Sequence, residues 1–233
     1  MATRQLGFIY KTHGGARKGA GRKPAPGRRR MAHRARAAHS SRHPLHVTLR
    51  VADDVANLRR VFGVVKSALE DGAERFGFRL LHYSVQSNHL HLLVEAKDAM
   101  VLSRAMTGLT VRLARGLNRH LQRRGQVFPD RYHARELKTP REVRNAIAYV
   151  LLNSRKHARE RGRQYPPDWM DPCSSAASFD GWRHTPGRRA GGTNLAKPHT
   201  WLATTGWRRH GLLSPAEIPG VQPRRGRKRP APT

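Results

Sequence analysis

The chain has 233 residues, with 46 Lys and Arg against 15 Asp and Glu, a formal net charge of +31, 37% hydrophobic residues and one cysteine. That apolar content supports one core of roughly 100–150 residues plus polar extensions, and the lone Cys173 excludes an internal disulfide framework. No apolar run reaches the roughly 20 residues that cross a bilayer.

Charge divides the chain into three. No acidic residue precedes Asp53, and eleven cations lie among Gly, Ala and Pro between Lys11 and Arg42. Such composition cannot bury a core, so residues 1–42 are expected to be a disordered basic arm. Residues 43–161 carry the globular pattern. Residues 162–233 form an Arg/Pro/Gly-rich extension, interrupted by Trp201, Leu202, Trp207, Leu212 and Leu213, which either dock on the core or form a short helical module. The basic start lacks the apolar stretch of a secretory signal. The expectation is a soluble, cytoplasmic and nucleoid-associated protein whose partner is a polyanion, nucleic acid first, and not a membrane.

Periodicity orders the elements. His46 to Val51 is a β-branched strand candidate. Leu58, Val61, Phe62, Val65, Ala68 and Leu69 recur at helical spacing and predict a helix over Val55 to Phe76. Phe78 to Val85 and Leu90 to Val94 read as strands. Leu102, Met106, Leu109, Leu113 and Leu117 mark a second amphipathic helix. Tyr132 to Leu137 is a weaker strand. Thr139, Pro140 and Glu142 are an N-cap, a first-turn proline and a capping-box partner, so a third helix runs to about Arg161. The order fits an α+β, ferredoxin-like βαββαβ sandwich with one additional C-terminal helix, helices on one sheet face and the other face free.

His89-Leu90-His91 lies on the third predicted strand. Residues two apart share a face, so the two imidazoles project together while Leu90, Leu92 and Val94 point into the helices. They are either a pair of metal ligands or two solvated histidines in a chain that has 14. On the third helix, Val143, Ile147, Val150 and Leu151 form an apolar stripe, with Asn145, Tyr149, Asn153 and Lys156 opposite. Tyr149 and Asn153, four apart, share one face. Spacing leaves open whether Tyr149 is a boundary residue or a nucleophile beside an amide ligand.

Three segments together resemble a known family. Tyr83-Ser-Val-Gln-Ser-Asn-His-Leu-His-Leu-Leu-Val94 resembles the His-hydrophobic-His strand of the single-tyrosine (HUH) transposases. Phe128-Pro-Asp-Arg-Tyr-His-Ala-Arg135 is similar to their Phe-x-x-Arg-Tyr segment, and Tyr149-Val-Leu-Leu-Asn153 to their Tyr-x-x-x-Asn/Gln helix. The ordered set, over residues 43–161, resembles the REP-associated tyrosine transposases. Ser87 and Ser154 stand where that pattern usually has proline.

The resemblance implies a DNA strand transferase that cleaves and rejoins single-stranded, hairpin-forming DNA. Tyr149 would attack a phosphodiester and leave a 5′-phosphotyrosine. His89, His91 and Asn153 would ligate a divalent ion, Mg²⁺ or Mn²⁺, that polarises the phosphate. It also implies strand binding by Arg131, Arg135, Arg144 and Arg155 around the site, and by Arg17, Lys18, Arg22 and Lys23 in the Gly-rich arm. Family members often act as dimers, so a homodimer is an open expectation. Two alternatives stand beside this reading. One is a nicking initiator of replication or conjugation that shares the histidines and tyrosine. The other is a non-catalytic nucleic-acid-binding module, suggested by Arg75-Phe-Gly-Phe-Arg-Leu80.

Overall fold

A computed structural model describes residues 38–184 and 192–220. The arm cations Arg17, Lys18, Arg22 and Lys23 lie outside the described residues. In chain order the elements are β1 (Leu45–Arg50), α1 (Phe62–Glu70), β2 (Glu74–Arg75), β3 (Phe78–Val85), β4 (His89–Ala96), α2 (Ala99–His120), β5 (His133–Glu136) and α3 (Pro140–Glu160). A short helix, α4 (Trp201–Thr204), follows, with 3-10 turns at Ser175–Ser178 and Gly206–His210. The strands form one antiparallel sheet in the order β2-β3-β4-β1-β5. This is the expected α+β architecture. No helix among the described residues is long and apolar enough to cross a membrane.

The alternation of β4 builds two cores. Leu90, Leu92 and Val94 join Leu45, Val47 and Leu49 of β1 under α1 and α2. Leu93 instead joins Leu81 in a second cluster with Val143, Ile147, Val150 and Leu151 of α3. Leu81 reaches that second face because β3 shifts register between Leu80 and His82.

The first helix is shorter than its periodicity predicts. Residues before Phe62 are held in turns by tertiary bonds, among them Leu58 N–H to the Ser87 carbonyl at 2.9 Å. Past Gly72 the chain turns back as β2, with Phe76 (φ 43°) and Gly77 (φ 90°) at the hairpin tip. The start of α3 matches its signals: Thr139 accepts from the Glu142 N–H, and the Glu142 carboxylate accepts the Thr139 N–H.

Two expectations are corrected. The second sheet face is not free, and the packed region does not stop at Arg161. Phe179, Trp182, Leu202, Trp207 and Leu213 are all buried against α3 and that face. Trp207 is 2% exposed and its Nε1–H donates to the Ala203 carbonyl at 3.1 Å. A Cβ on Gly181 would lie 2.3 Å from the Trp207 ring, so only glycine fits beneath it. The scattered apolar residues of the extension thus cover the α3 stripe that α1 and α2 cannot reach.

Buried polar bonds fix this covering segment. Asp171 takes both terminal nitrogens of Arg59 at 2.7 and 2.8 Å, the Cys173 N–H at 2.9 Å, and the Ser154 hydroxyl. Ser154, where the family pattern has proline, therefore serves as a tether between α3 and the extension.

Trp207→Ala is expected to lower unfolding free energy by about 3–5 kcal/mol, the range for emptying a buried aromatic site. Urea denaturation of the full chain measures this. A loss below about 1 kcal/mol would show that the extension is not part of the core.

Candidate active site

The site grows from the ladders that join β4 to its neighbours. His91 lies opposite Thr48 of β1 and Ser84 of β3, and His89 lies opposite Arg50. Period two then places His46 and Thr48 on the same face as His89 and His91. The rings of His89 and His91 have centroids 4.8 Å apart, and those of His46 and His91 are 5.2 Å apart. Helix α3 crosses this face and brings Tyr149 edge-on to His91 at 5.0 Å and to His46 at 5.7 Å. The Lys156 ammonium lies 5.2 Å from the Tyr149 ring centroid.

Hydrogen bonds orient the two imidazoles. His89 Nδ1 is 2.8 Å from the Asn88 amide oxygen, which can only accept. The proton is therefore on Nδ1, and Nε2 keeps its lone pair. His91 Nδ1 is 3.2 Å from both the Thr48 hydroxyl and His46 Nε2, while its own Nε2 is buried without a partner. Burial lowers the His91 pKa to about 3, reinforced by His46, His89, His157 and Lys156. Burial likewise lowers His46 to about 4, with His133 and Arg135 adding to it, and lowers His89, with His157 and Arg50 adding to it. All three rings are thus neutral at pH 7, the form that can ligate a metal or accept a proton.

Asn153 is fully buried, and both its amide nitrogen and oxygen lack partners. It sits just beyond Leu152, whose backbone leaves the helical region (φ −114°, ψ 15°) and kinks α3 between Tyr149 and the residues that follow. The stripe expected to be polar is therefore mixed: Asn145 is exposed, Tyr149 half-buried and Asn153 enclosed. An unsatisfied buried amide is costly, so it marks a place where a ligand would be welcome. Among the described residues no group of three or more His, Cys, Asp or Glu side chains could hold a metal ion. On this face the neighbouring rings of His89 and His91 are the nitrogen donors that lie together.

The predicted arginines have different fates. Arg131 and Arg135 are exposed, and Arg135, opposite His46 in register, pairs with Glu142 at 2.9 Å. Arg144 is turned inward: it forks onto Glu217 at 2.8 and 2.9 Å and donates to the Gly211 carbonyl at 3.0 Å. Arg155 is buried and donates to the carbonyls of Tyr165, Pro166, Pro167 and Trp169. The expectation that these two bind a strand is corrected: each holds the C-terminal segment against α3.

Two other tyrosines lie near the motifs. Tyr83 is fully buried beneath α1, where burial raises its hydroxyl pKa, and Tyr132 packs against that same core. Neither shares the histidine face. His46 and Thr48 escaped the sequence reading. Their signal was the same alternation, His-x-Thr on β1, but only the ladder shows that this pair lies beside His89 and His91.

The geometry is thus a strand-borne histidine pair beside a helix tyrosine, on the five-stranded antiparallel sheet of an α+β domain. Residues 41–151, a little under half of the chain, match the family model described as Transposase IS200 like. A solved structure of a REP-associated tyrosine transposase bound to a REP hairpin aligns at a TM-score of 0.46 and 14% identity, covering 64% of this chain and 96% of that one. None of the curated proteins compared matches the chain.

The folded pKa values of His46 and His91 lie below the unfolded value of 6.5. The unfolded chain therefore binds more protons. The stabilisation from neutral rings is complete above about pH 6.5 and is lost as pH falls toward 4. Nitrogen-resolved NMR of labelled histidines should show both rings still neutral at about pH 5.5, and unfolding free energy should drop across that window. A His91 ring that titrates near 6.5 would refute its enclosure.

Proposed function

We propose that the chain is a transposase-type strand transferase that cleaves and rejoins single-stranded, hairpin-forming DNA through Tyr149. The observation that carries this is the packing of the Tyr149 ring edge-on against His91, whose Nε2 is buried and unpartnered. A phenol has a pKa of about 10 and needs help to act as a nucleophile. In the reaction, the Tyr149 oxygen attacks phosphorus and loses its proton. The bond to the 3′-oxygen breaks, and that oxygen leaves as a 3′-hydroxyl after taking up a proton. The DNA 5′ phosphate is then esterified to Tyr149. The link conserves the energy of the phosphodiester, so reversal joins strands without a nucleotide cofactor.

The chain's own groups support each part. His89 and His91 present neutral Nε2 donors, held by Asn88 and Thr48. Together with Asn153 they would hold a divalent ion, Mg²⁺ or Mn²⁺, which when bound supplies charge neutralisation at the phosphate. Lys156 offers a second positive charge beside Tyr149. Arg131 and Arg135 flank the face and are suited to the strand backbone. Arg17, Lys18, Arg22 and Lys23 would add phosphate contacts from the arm.

Denaturing electrophoresis of end-labelled, hairpin-containing single strands tests the assignment. The wild-type chain should yield a protein adduct on the 5′-phosphate end of the fragment downstream of the break, and Tyr149→Phe should yield none while still binding DNA. Tyr83→Phe and Tyr132→Phe should keep the adduct. His91→Ala should lose cleavage and also weaken Mn²⁺ binding measured by calorimetry, by at least about tenfold. An adduct that survives in Tyr149→Phe sinks the reading. Cleavage without joining would favour the nicking initiator, and binding without cleavage the non-catalytic module.

Deleting residues 1–37 spares the bonds of Ser40 and His43 to Glu136 and removes ten of the eleven cations between Lys11 and Arg42. The salt dependence of binding should flatten by about 0.7 per lost contact on a single strand, while adduct formation at saturating DNA persists. An unchanged slope would mean that the arm touches no phosphates.

A further inference from the structure

A cavity of about 790 Å³ opens at the end of the sheet away from His89. Arg42, Arg79, Lys97, Lys138, Glu95 and Trp201 are among the residues that line it. Strand β4 runs from His89 to Ala96, and Glu95, its nearest lining residue, lies four residues beyond His91, roughly 13 Å along the strand. It is separate from the candidate active site.

Its electrostatics are one-sided. The only carboxylate in the lining, Glu95, is 4% exposed, and its oxygens accept the N–H groups of His199 at 2.9 Å and Thr200 at 2.8 Å. Its charge is thereby committed to the backbone. Arg79 and Lys138 are partly matched by Glu74 at 3.2 Å and Glu136 at 3.7 Å. Arg42 and Lys97 form no ion pair among the described residues.

The same Glu95 bonds fix an aromatic platform. They anchor the start of α4, where Thr200 caps the helix and Trp201 is its first residue. Trp201 is 48% exposed. A Cβ on Gly206 would lie 2.8 Å from the Trp201 ring, so the indole rests against bare backbone. The Arg209 guanidinium stands 4.9 Å from the ring centroid. A half-exposed indole in a cation-lined cavity, with Arg209 over its ring, is the kind of surface that holds single-stranded nucleic acid, where bases stack on aromatic rings and phosphates meet the charges. An acidic peptide would satisfy the cations and leave the indole unused.

We propose that this cavity binds an unpaired stretch of DNA, with a base stacked on Trp201 and phosphates on Arg42 and Lys97. The inference rests on the DNA-processing reading and extends it, by giving the substrate a second hold beyond the histidine face. The cavity volume lies in the range that encloses small ligands.

The test uses the full chain and a fluorescein-labelled ten-nucleotide oligothymidylate, followed by anisotropy. Trp201→Ala should weaken binding roughly 5- to 100-fold, and Trp201→Phe should restore most of the loss. Arg42→Gln and Lys97→Gln should each reduce the salt slope by about 0.7. The Tyr149 adduct at saturating DNA should be unchanged in all four. Binding that is unaffected in Trp201→Ala overturns the proposal. So does polyglutamate that competes as well, charge for charge, as the oligothymidylate, since that marks a general anion site. A wild-type chain that forms no adduct, yet loses oligonucleotide affinity in Trp201→Ala, removes the strand-transfer reading and supports the cavity.

Discussion

Everything in this molecule hangs on the two-residue alternation of β4. Leu90, Leu92 and Val94 must leave water, and they do so beneath α1 and α2. That burial forces His89, His91, Leu93 and Glu95 to the opposite face, because a one-residue slip would put imidazoles in the first core and leucines outside it. They take three roles there: His91, with His89 beside it, faces Tyr149, Leu93 seats α3, and Glu95 pins the segment that carries Trp201.

The second face is where polar and apolar demands meet. Helix α3 has to bury Val143, Ile147, Val150 and Leu151, yet also hold Tyr149 beside two neutral imidazoles. It does both by lying across the strand, with the C-terminal segment closing the apolar half. Arg144, Arg155 and the Arg59–Asp171 pair are spent on that closure. Single buried charges would be costly, and here each guanidinium is matched by carboxylate or carbonyl oxygens. Among the described residues, His91 Nε2 and both ends of the Asn153 amide are buried without a partner, as are the Tyr83 hydroxyl and Arg155 Nε elsewhere in the fold.

Electrostatic character follows the same division. A net charge of +31 would disfavour a compact state unless the cations stay in water or meet anions. The face that carries the histidines excludes charge from the rings themselves, since burial keeps them neutral, and surrounds them with Arg50, Arg135 and Lys156. Neutral rings inside a cationic rim are the electrostatic pattern on which the proposed reaction at a phosphodiester relies.

Local pattern determined the elements of the sheet and its helices. The period of two in His89–Val94, the leucine spacing of α2 and the capping box at Thr139–Glu142 each depend on residues close in sequence, and each was legible there. So was the pairing of His89 with His91, and of Tyr149 with a face of α3. What the sequence could not decide were relations between distant segments. That His46 and Thr48 lie beside His91 depends on the β1–β4 register. That Asn153 is buried depends on the kink at Leu152. That Arg144 and Arg155 are structural depends on Glu217 and on carbonyls 10 to 14 residues past Arg155. The extension, with its Gly, Pro and Arg, reads as unable to fold because its apolar residues have no period. It packs because α3 supplies a finished apolar surface, and a segment that docks on existing structure needs only a few well-placed tryptophans, not a pattern of its own.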